Sequence, residues 1–207
     1  MNIILAALDD DMAEAWQTAC SALPGVSIHR GNILDVACDA VVSPANSFGF
    51  MDGGIDLHYS QHFGWNLQTK LRTAIMERHH GELLVGQAEI VETGNIAHPF
   101  LIAAPTMRVP MSLGDKTVNP YLATRAVLRL IKSGRFVSGA AIADRVGTIA
   151  FPGMGTGVGQ VSPAICARQM RQAIEDVLIH PVRLPTSWAE ASETHQLLYT
   201  DKPVRLQ

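Results

Sequence analysis

Apolar positions along this chain fall into two rhythms that alternate. Ile3 to Leu8 is an unbroken apolar run, as expected of a strand covered on both faces. Asp9, Asp10 and Asp11 then bring acidic side chains to a helix start. Met12, Ala15, Trp16, Ala19 and Leu23 recur at helical spacing until Pro24 and Gly25 stop it. Val26 to Arg30 predicts a second strand and Asp39 to Val42 a buried third. Leu67, Leu71, Ala74, Ile75 and Arg78 mark a helix that ends near His79, His80 and Gly81.

The second half repeats the pattern. Gln87 to Glu92 alternates polar and apolar residues like a half-exposed strand, and Phe100 to Ala104 is a short buried one. Asn119 and Pro120 read as an N-cap followed by proline at the first helical position, opening a helix through Leu122, Ala126, Leu130 and Ile131 to Gly134. Gly147 to Phe151 is the last buried strand. Ser162 and Pro163 repeat the helix-opening signal, with Ile165, Met170, Ala173, Ile174 and Val177 on one face. Beyond His180, Ser187 and Glu190 form an S-x-x-E capping box for a short helix. Strands alternating with helices predict α/β layers around a mostly parallel sheet.

Composition narrows the class. With 207 residues, 47% of them hydrophobic, one substantial core and one domain are expected. The net charge of -3 gives no field that would draw nucleic acid or an anionic membrane, so an anionic ligand must be held locally. Cys20, Cys38 and Cys166 are odd in number and widely spaced, which argues against a disulfide framework or a cysteine zinc site. The N-terminus has no basic segment and no apolar stretch of signal-peptide length. No run reaches the roughly 18 apolar residues of a membrane helix. The expectation is a soluble, cytoplasmic protein.

Two glycine-rich stretches follow strands. Ser43 to Tyr59 reads S-P-A-N-S-F-G-F-M-D-G-G-I-D-L-H-Y, with Gly49, Gly53 and Gly54 and then Asp56. Phe151 to Gln160 reads F-P-G-M-G-T-G-V-G-Q and lies between a strand and the helix from Ser162. Its backbone N–H groups, beside a helix N-terminus, can hold a diphosphate without a basic side chain. A Walker loop is excluded because no Gly-Lys pair occurs, and a dinucleotide fingerprint fails because residue 160 is Gln and residue 158 is Val.

The two stretches, in this order, resemble the ribose-binding and diphosphate-binding loops of macro domains, the ADP-ribose-binding α/β modules. The resemblance covers the chain to about residue 180 and implies a three-layer fold with a mixed, mostly parallel sheet of about six strands between helices. It implies a macro-like domain over 1–180 and a C-terminal extension over 181–207 packed on it. The implied ligand-binding positions are Asn32, Ile33, Ala45, Asn46, Gly53, Gly54 and Ile55, together with Gly153, Gly155, Thr156, Gly157, Val158 and Gly159. Asn46 and Asp56 are the implied catalytic pair. Asn32 stands where the family usually carries an Asp that accepts from the adenine amine; a neutral amide oxygen still accepts but lacks the charge that roughly doubles such a bond. Gly159 stands near the position of an aromatic residue in many macro domains. No cofactor and no metal are implied; the partner is ADP-ribose or an ADP-ribosylated substrate, with neither membrane nor nucleic acid.

The residues themselves leave alternatives open. Asp56 is a structural helix-start acid, a contact to the distal ribose, or the group that positions the attacking water. Asn46 and Asn32 are equally turn residues. His58 and His62 have i, i+4 spacing but no third metal ligand, and His79 and His80 suit a helix C-terminus. Ser43 and Ser47 have no identifiable base, and Trp188 and Tyr199 are aromatic candidates for the base or for packing. The expected function is binding of ADP-ribose or a close derivative, with hydrolysis of a group at the ribose 1″ position. A non-catalytic reader and a structural protein with another nucleotide-like ligand are the rivals.

Overall fold

The computed structural model describes residues 1–204. Strands β1 (Asn2–Ala7), β2 (Val26–Arg30), β3 (Ala40–Ser43), β4 (Glu89–Glu92), β5 (Phe100–Ala103) and β6 (Thr148–Phe151) form one six-stranded sheet in the order β2-β1-β6-β3-β5-β4. All neighbours are parallel except β4 with β5. The helices are α1 (Asp10–Cys20), α2 (Gly54–Phe63), α3 (Asn66–His79), α4 (Asn119–Ser133), α5 (Pro163–Ile174) and α6 (Trp188–Gln196).

Alternation along the strands explains the layers. Leu5, Val42, Ile102 and Ile149 point into one core with Trp16, Val127 and Met170, so α1, α4 and α5 cover that face. Ala6, Val41, Leu101 and Ala150 point into the other, where α2 and α3 supply Tyr59, Leu67, Leu71 and Ile75. Central strands buried on both sides read as continuous apolar runs because a crossover helix lies on each face.

Several local expectations change. Asn119 does not cap α4: its Nδ2 donates to the Thr106 carbonyl at 2.7 Å, while Val118 holds the cap position without a side-chain bond. The alternation expected over Gln87 to Glu92 breaks in its middle, although Gln87 and Glu92 are exposed. Glu89, Ile90 and Val91 are all buried, and the Glu89 carboxylate is satisfied by His79 Nε2 at 3.0 Å and Arg78 Nη1 at 3.4 Å. A paired carboxylate can sit in a core that its polarity alone would forbid. His80, not Gly81, takes the left-handed cap of α3, at φ 53°. Ser187 caps α6 by accepting from Glu190 N, but Glu190 returns its carboxylate to Thr186 rather than to Ser187.

Candidate functional site

Every parallel strand delivers its following loop to the same end of the sheet. β6 lies between β1 and β3, paired through Leu5 with Phe151 and Ala40 with Ile149. The chain runs outward from β1 to β2 and then crosses to β3, so the order reverses around β6. Ligands of open α/β sheets bind beyond the carboxyl ends at such a reversal. Here it gathers the Gly31–Ile33 turn after β2, the loop from Pro44 after β3 and the loop from Pro152 after β6.

The loop after β3 is held from beneath. Tyr59 Oη donates to the Val42 carbonyl at 3.0 Å, Ser60 Oγ to the Met51 carbonyl at 2.8 Å, and Met51 N to Gln68 Oε1 at 2.7 Å. Gly49, at φ 67°, sits so close to α3 that a Cβ would lie 2.9 Å from Ile75 Cδ1. The polar inward positions Asp56, Tyr59 and Ser60 of α2 therefore have partners. Inward polar residues at i, i+3 and i+4 were the sequence signal for this clamp, which a search for apolar periodicity passes over.

Asn46 is largely spent on its own loop. Its Oδ1 accepts from Phe48 N at 3.1 Å and Phe50 N at 3.3 Å, and its Nδ2 donates to the Phe50 carbonyl at 2.8 Å. One amide hydrogen is left for a ligand. Ala45 is buried, and its carbonyl accepts from Thr106 N at 3.1 Å.

Asp56 stands in the first turn of α2 with its carboxylate turned inward, 7% exposed. Ser43 Oγ, at the end of β3, donates to its Oδ1 at 2.5 Å. Burial raises the Asp56 pKa to about 7, against a lowering by the Ser43 hydroxyl. A carboxyl poised there exchanges a proton near neutral pH. Above it, Gly53 caps α2 with no side-chain bond, so the first-turn N–H groups of Gly54, Ile55 and Asp56 are left without a side-chain acceptor, and Gly53 and Gly54 have no neighbour where a Cβ would be.

In the loop after β6, the N–H groups of Gly155, Thr156, Gly157, Val158 and Gly159 donate to no backbone or side-chain acceptor among the described residues. Its carbonyls are used: Gly155 O accepts from Val161 N, Gly157 O from Gln160 N and Gly159 O from Leu113 N, at 3.1, 3.0 and 2.8 Å. The loop is thus shaped from its acceptor side and offers donors. A Cβ on Gly159 would approach Gly155 O to 2.4 Å and one on Gly153 would approach Thr156 Oγ1 to 2.5 Å, whereas Gly157 has nothing within 4 Å. Close packing thus excludes a side chain at the outer two glycines, Gly159 against backbone and Gly153 against the Thr156 side chain, and Gly157 faces open space. Val158 is exposed.

At the α5 end of this loop the N-cap Ser162 gives its own N–H to Asp115 Oδ1 at 2.9 Å. Asp115 belongs to the segment after β5, far away in sequence, and an acid at a helix N-terminus is favourable by itself. Asn32 caps a 3-10 turn over Ile33–Asp35, its Oδ1 accepting from Leu34 N at 3.0 Å, and Ile33 is buried.

The remaining candidates are set apart from the site or taken up in packing. His79 joins α3 to Glu89, and Trp188 is 74% exposed on α6. His62 packs edge-on against Phe63, with ring centres 4.7 Å apart. Ser47 is buried, its N–H bonded to the Arg108 carbonyl. Among the described residues no three His, Cys, Asp or Glu side chains cluster as metal ligands would, and no helix is long and apolar enough to cross a membrane.

Known proteins resemble this chain in sequence and fold. An uncharacterised protein of Aquifex aeolicus is 33% identical over 150 residues, covering 72% of this chain and 80% of its own. Among solved structures, the macrodomain of Mycobacterium tuberculosis DarG superposes with a TM-score of 0.55 at 21% identity, covering 70% of this chain and 86% of that one. An Oceanobacillus iheyensis macrodomain mutant with ADPR gives 0.57 at 19% identity, covering 70% and 73%. The Macro domain family model matches residues 42–170, from the end of β3 through the loop after β6 into α5, and this chain belongs to that family.

Proposed function

We propose that the protein binds ADP-ribose or a close derivative and hydrolyses a group attached at the ribose 1″ position: protein-linked ADP-ribose, a phosphate or an acyl ester. The observation that carries this reading is the run of five N–H groups from Gly155 to Gly159 that meet no acceptor among the described residues, on the loop after β6, with the uncapped first turn of α2 at the same end of the neighbouring β3. Together they form a cradle of donors that suits a diphosphate flanked by a ribose. In this reading Gly153 to Gly159 hold the diphosphate, Ala45, Gly53, Gly54 and Ile55 enclose the distal ribose with the remaining Asn46 amide hydrogen, and Asn32 and Ile33 meet the base. The Oceanobacillus macrodomain solved with ADPR supports it by sharing the fold.

Asp56 would act as the base toward the attacking water, and its pKa of about 7 suits that work. Its burial and its bond to Ser43 favour a second reading, a reader of ADP-ribose in which Asp56 only orders α2 against β3. Calorimetry with ADP-ribose, then incubation with ADP-ribosylated protein and with ADP-ribose 1″-phosphate, tests both. Binding with release of the 1″ group supports the hydrolase; binding without release supports the reader; no binding removes both.

The proposal includes a cytoplasmic setting, which the buried free thiols of Cys20, Cys38 and Cys166 suit. It also takes 1–180 as the macro domain with 181–207 packed on it. Buried Leu198 and the Arg168 to Asp201 ion pair at 2.5 Å support that docking, and the last three residues lie outside the described ones.

A further inference from the structure

The segment after β5, residues 106–115, touches both glycine loops. At its near end it runs beside the loop after β3: Thr106 N donates to the Ala45 carbonyl and Ser47 N to the Arg108 carbonyl, each at 3.1 Å, and Met107 bridges to Asn46. Its far end is bonded to the loop after β6 and the start of α5. Leu113 N donates to the Gly159 carbonyl at 2.8 Å, Ser112 Oγ to Gln160 Oε1 at 3.2 Å, and Asp115 Oδ1 accepts from Ser162 N at 2.9 Å. Side chains fill the space between. The Cβ of buried Thr106 lies 3.8 Å from where a Cβ on Gly155 would be, and Leu113 Cδ1 lies 3.4 Å from that point and 3.1 Å from the equivalent point on Gly159. Among the described residues no hydrogen bond joins the two loops directly. Gln160, at φ 54°, is held in the left-handed region next to these contacts. A non-glycine residue stays there only where its surroundings fix it.

We propose that residues 106–115 act as a spacer that sets the distance between the two loops, with Leu113 and Asp115 as positioning residues through which the site favours a nucleoside diphosphate ribose over the nucleoside diphosphate alone. The inference rests on the ADP-ribose reading of the site and adds what keeps its two halves in register. A ligand that spans both loops gains from a preset spacing, because none of its binding energy is then used to order them. A nucleoside diphosphate reaches only the loop after β6, so the spacing does not concern it.

Calorimetry of the full chain with ADP-ribose and with ADP tests this. The parent should bind ADP-ribose more tightly than ADP. Leu113→Ala and Asp115→Ala, each folded with a melting temperature within a few degrees of the parent, should shrink that advantage by about fivefold or more, the effect of one lost contact. Removing the Asp115 charge favours both diphosphates alike and cancels in the ratio. Asp115→Asn keeps an acceptor for Ser162 N and should restore the ratio to within about twofold of the parent. A ratio that neither alanine variant moves, whether both affinities fall together or neither falls, overturns the inference and leaves the ADP-ribose reading standing. A parent that binds the two ligands equally overturns it as well. If the parent binds neither ligand, the reading of the whole site falls and this one with it.

Discussion

Ser43 Oγ donates to Asp56 Oδ1 at 2.5 Å, so the last residue of a central strand and the first turn of the following helix share one buried hydrogen bond. The two lie thirteen positions apart in sequence. The bond turns the Asp56 carboxylate toward the sheet, and burial there raises its pKa to about 7 despite the hydroxyl. The same geometry defines how the acid can be tested.

If Asp56 activates water, turnover should rise with pH through about 7 as the carboxyl ionises, then level off. Asp56→Asn keeps the shape and removes the base, lowering turnover about 10² to 10⁴-fold. ADP-ribose affinity should change by no more than about tenfold, roughly 1.4 kcal/mol. Turnover that survives Asp56→Asn would move the role to another group, such as a phosphate of the ligand.

The Ser43 hydroxyl lowers the Asp56 pKa. Ser43→Ala should therefore shift the rise in turnover to higher pH while leaving the plateau rate within about tenfold of the parent. A pH–rate profile that does not move would show that the group titrating in the rate is not Asp56.

Stability should follow the opposite sense of pH. The folded protein holds the Asp56 proton up to about 7, while an unfolded carboxylate releases it near pH 3.8. Protons bound preferentially by the folded state make stability fall as pH rises between these values, by roughly 4 kcal/mol at most. Asp56→Asn should flatten that fall, so its advantage over the parent in denaturant unfolding is larger at pH 8 than at pH 5. An equal difference at both pH values would contradict the raised pKa.

The glycines of the loop after β6 should separate into two classes. A side chain at Gly157 enters open space, so Gly157→Val should leave the melting temperature within a few degrees of the parent and weaken ADP-ribose binding at least about tenfold, roughly 1.4 kcal/mol. Gly159→Val must move the Gly155 carbonyl, which lies 2.4 Å from the new Cβ, and should lower the melting temperature itself. Unchanged affinity in a folded Gly157→Val protein would remove the diphosphate assignment.

The sequence by itself determined the elements and their order. Val41, Val42, Leu101, Ile102 and Ile149 announced buried parallel strands because a two-sided core demands apolar residues at consecutive positions. The glycine loops after β3 and β6 were visible as breaks in that pattern. Tertiary structure alone decided what each polar side chain does. Asn119 and Ser162 carried local helix-start signals, and Ser162 does hold the N-cap position of α5, yet its side chain makes no cap bond and the Asn119 amide goes to Thr106. Glu89 looked like a solvent-facing residue until Arg78 and His79 met it in the core. Asp56 and Ser43 became partners only once β3 and α2 had packed. Periodicity reports contacts within a few residues, whereas a buried polar group is placed by whichever distant donor or acceptor the sheet order brings within hydrogen-bonding reach, and that order is set by packing across the whole chain.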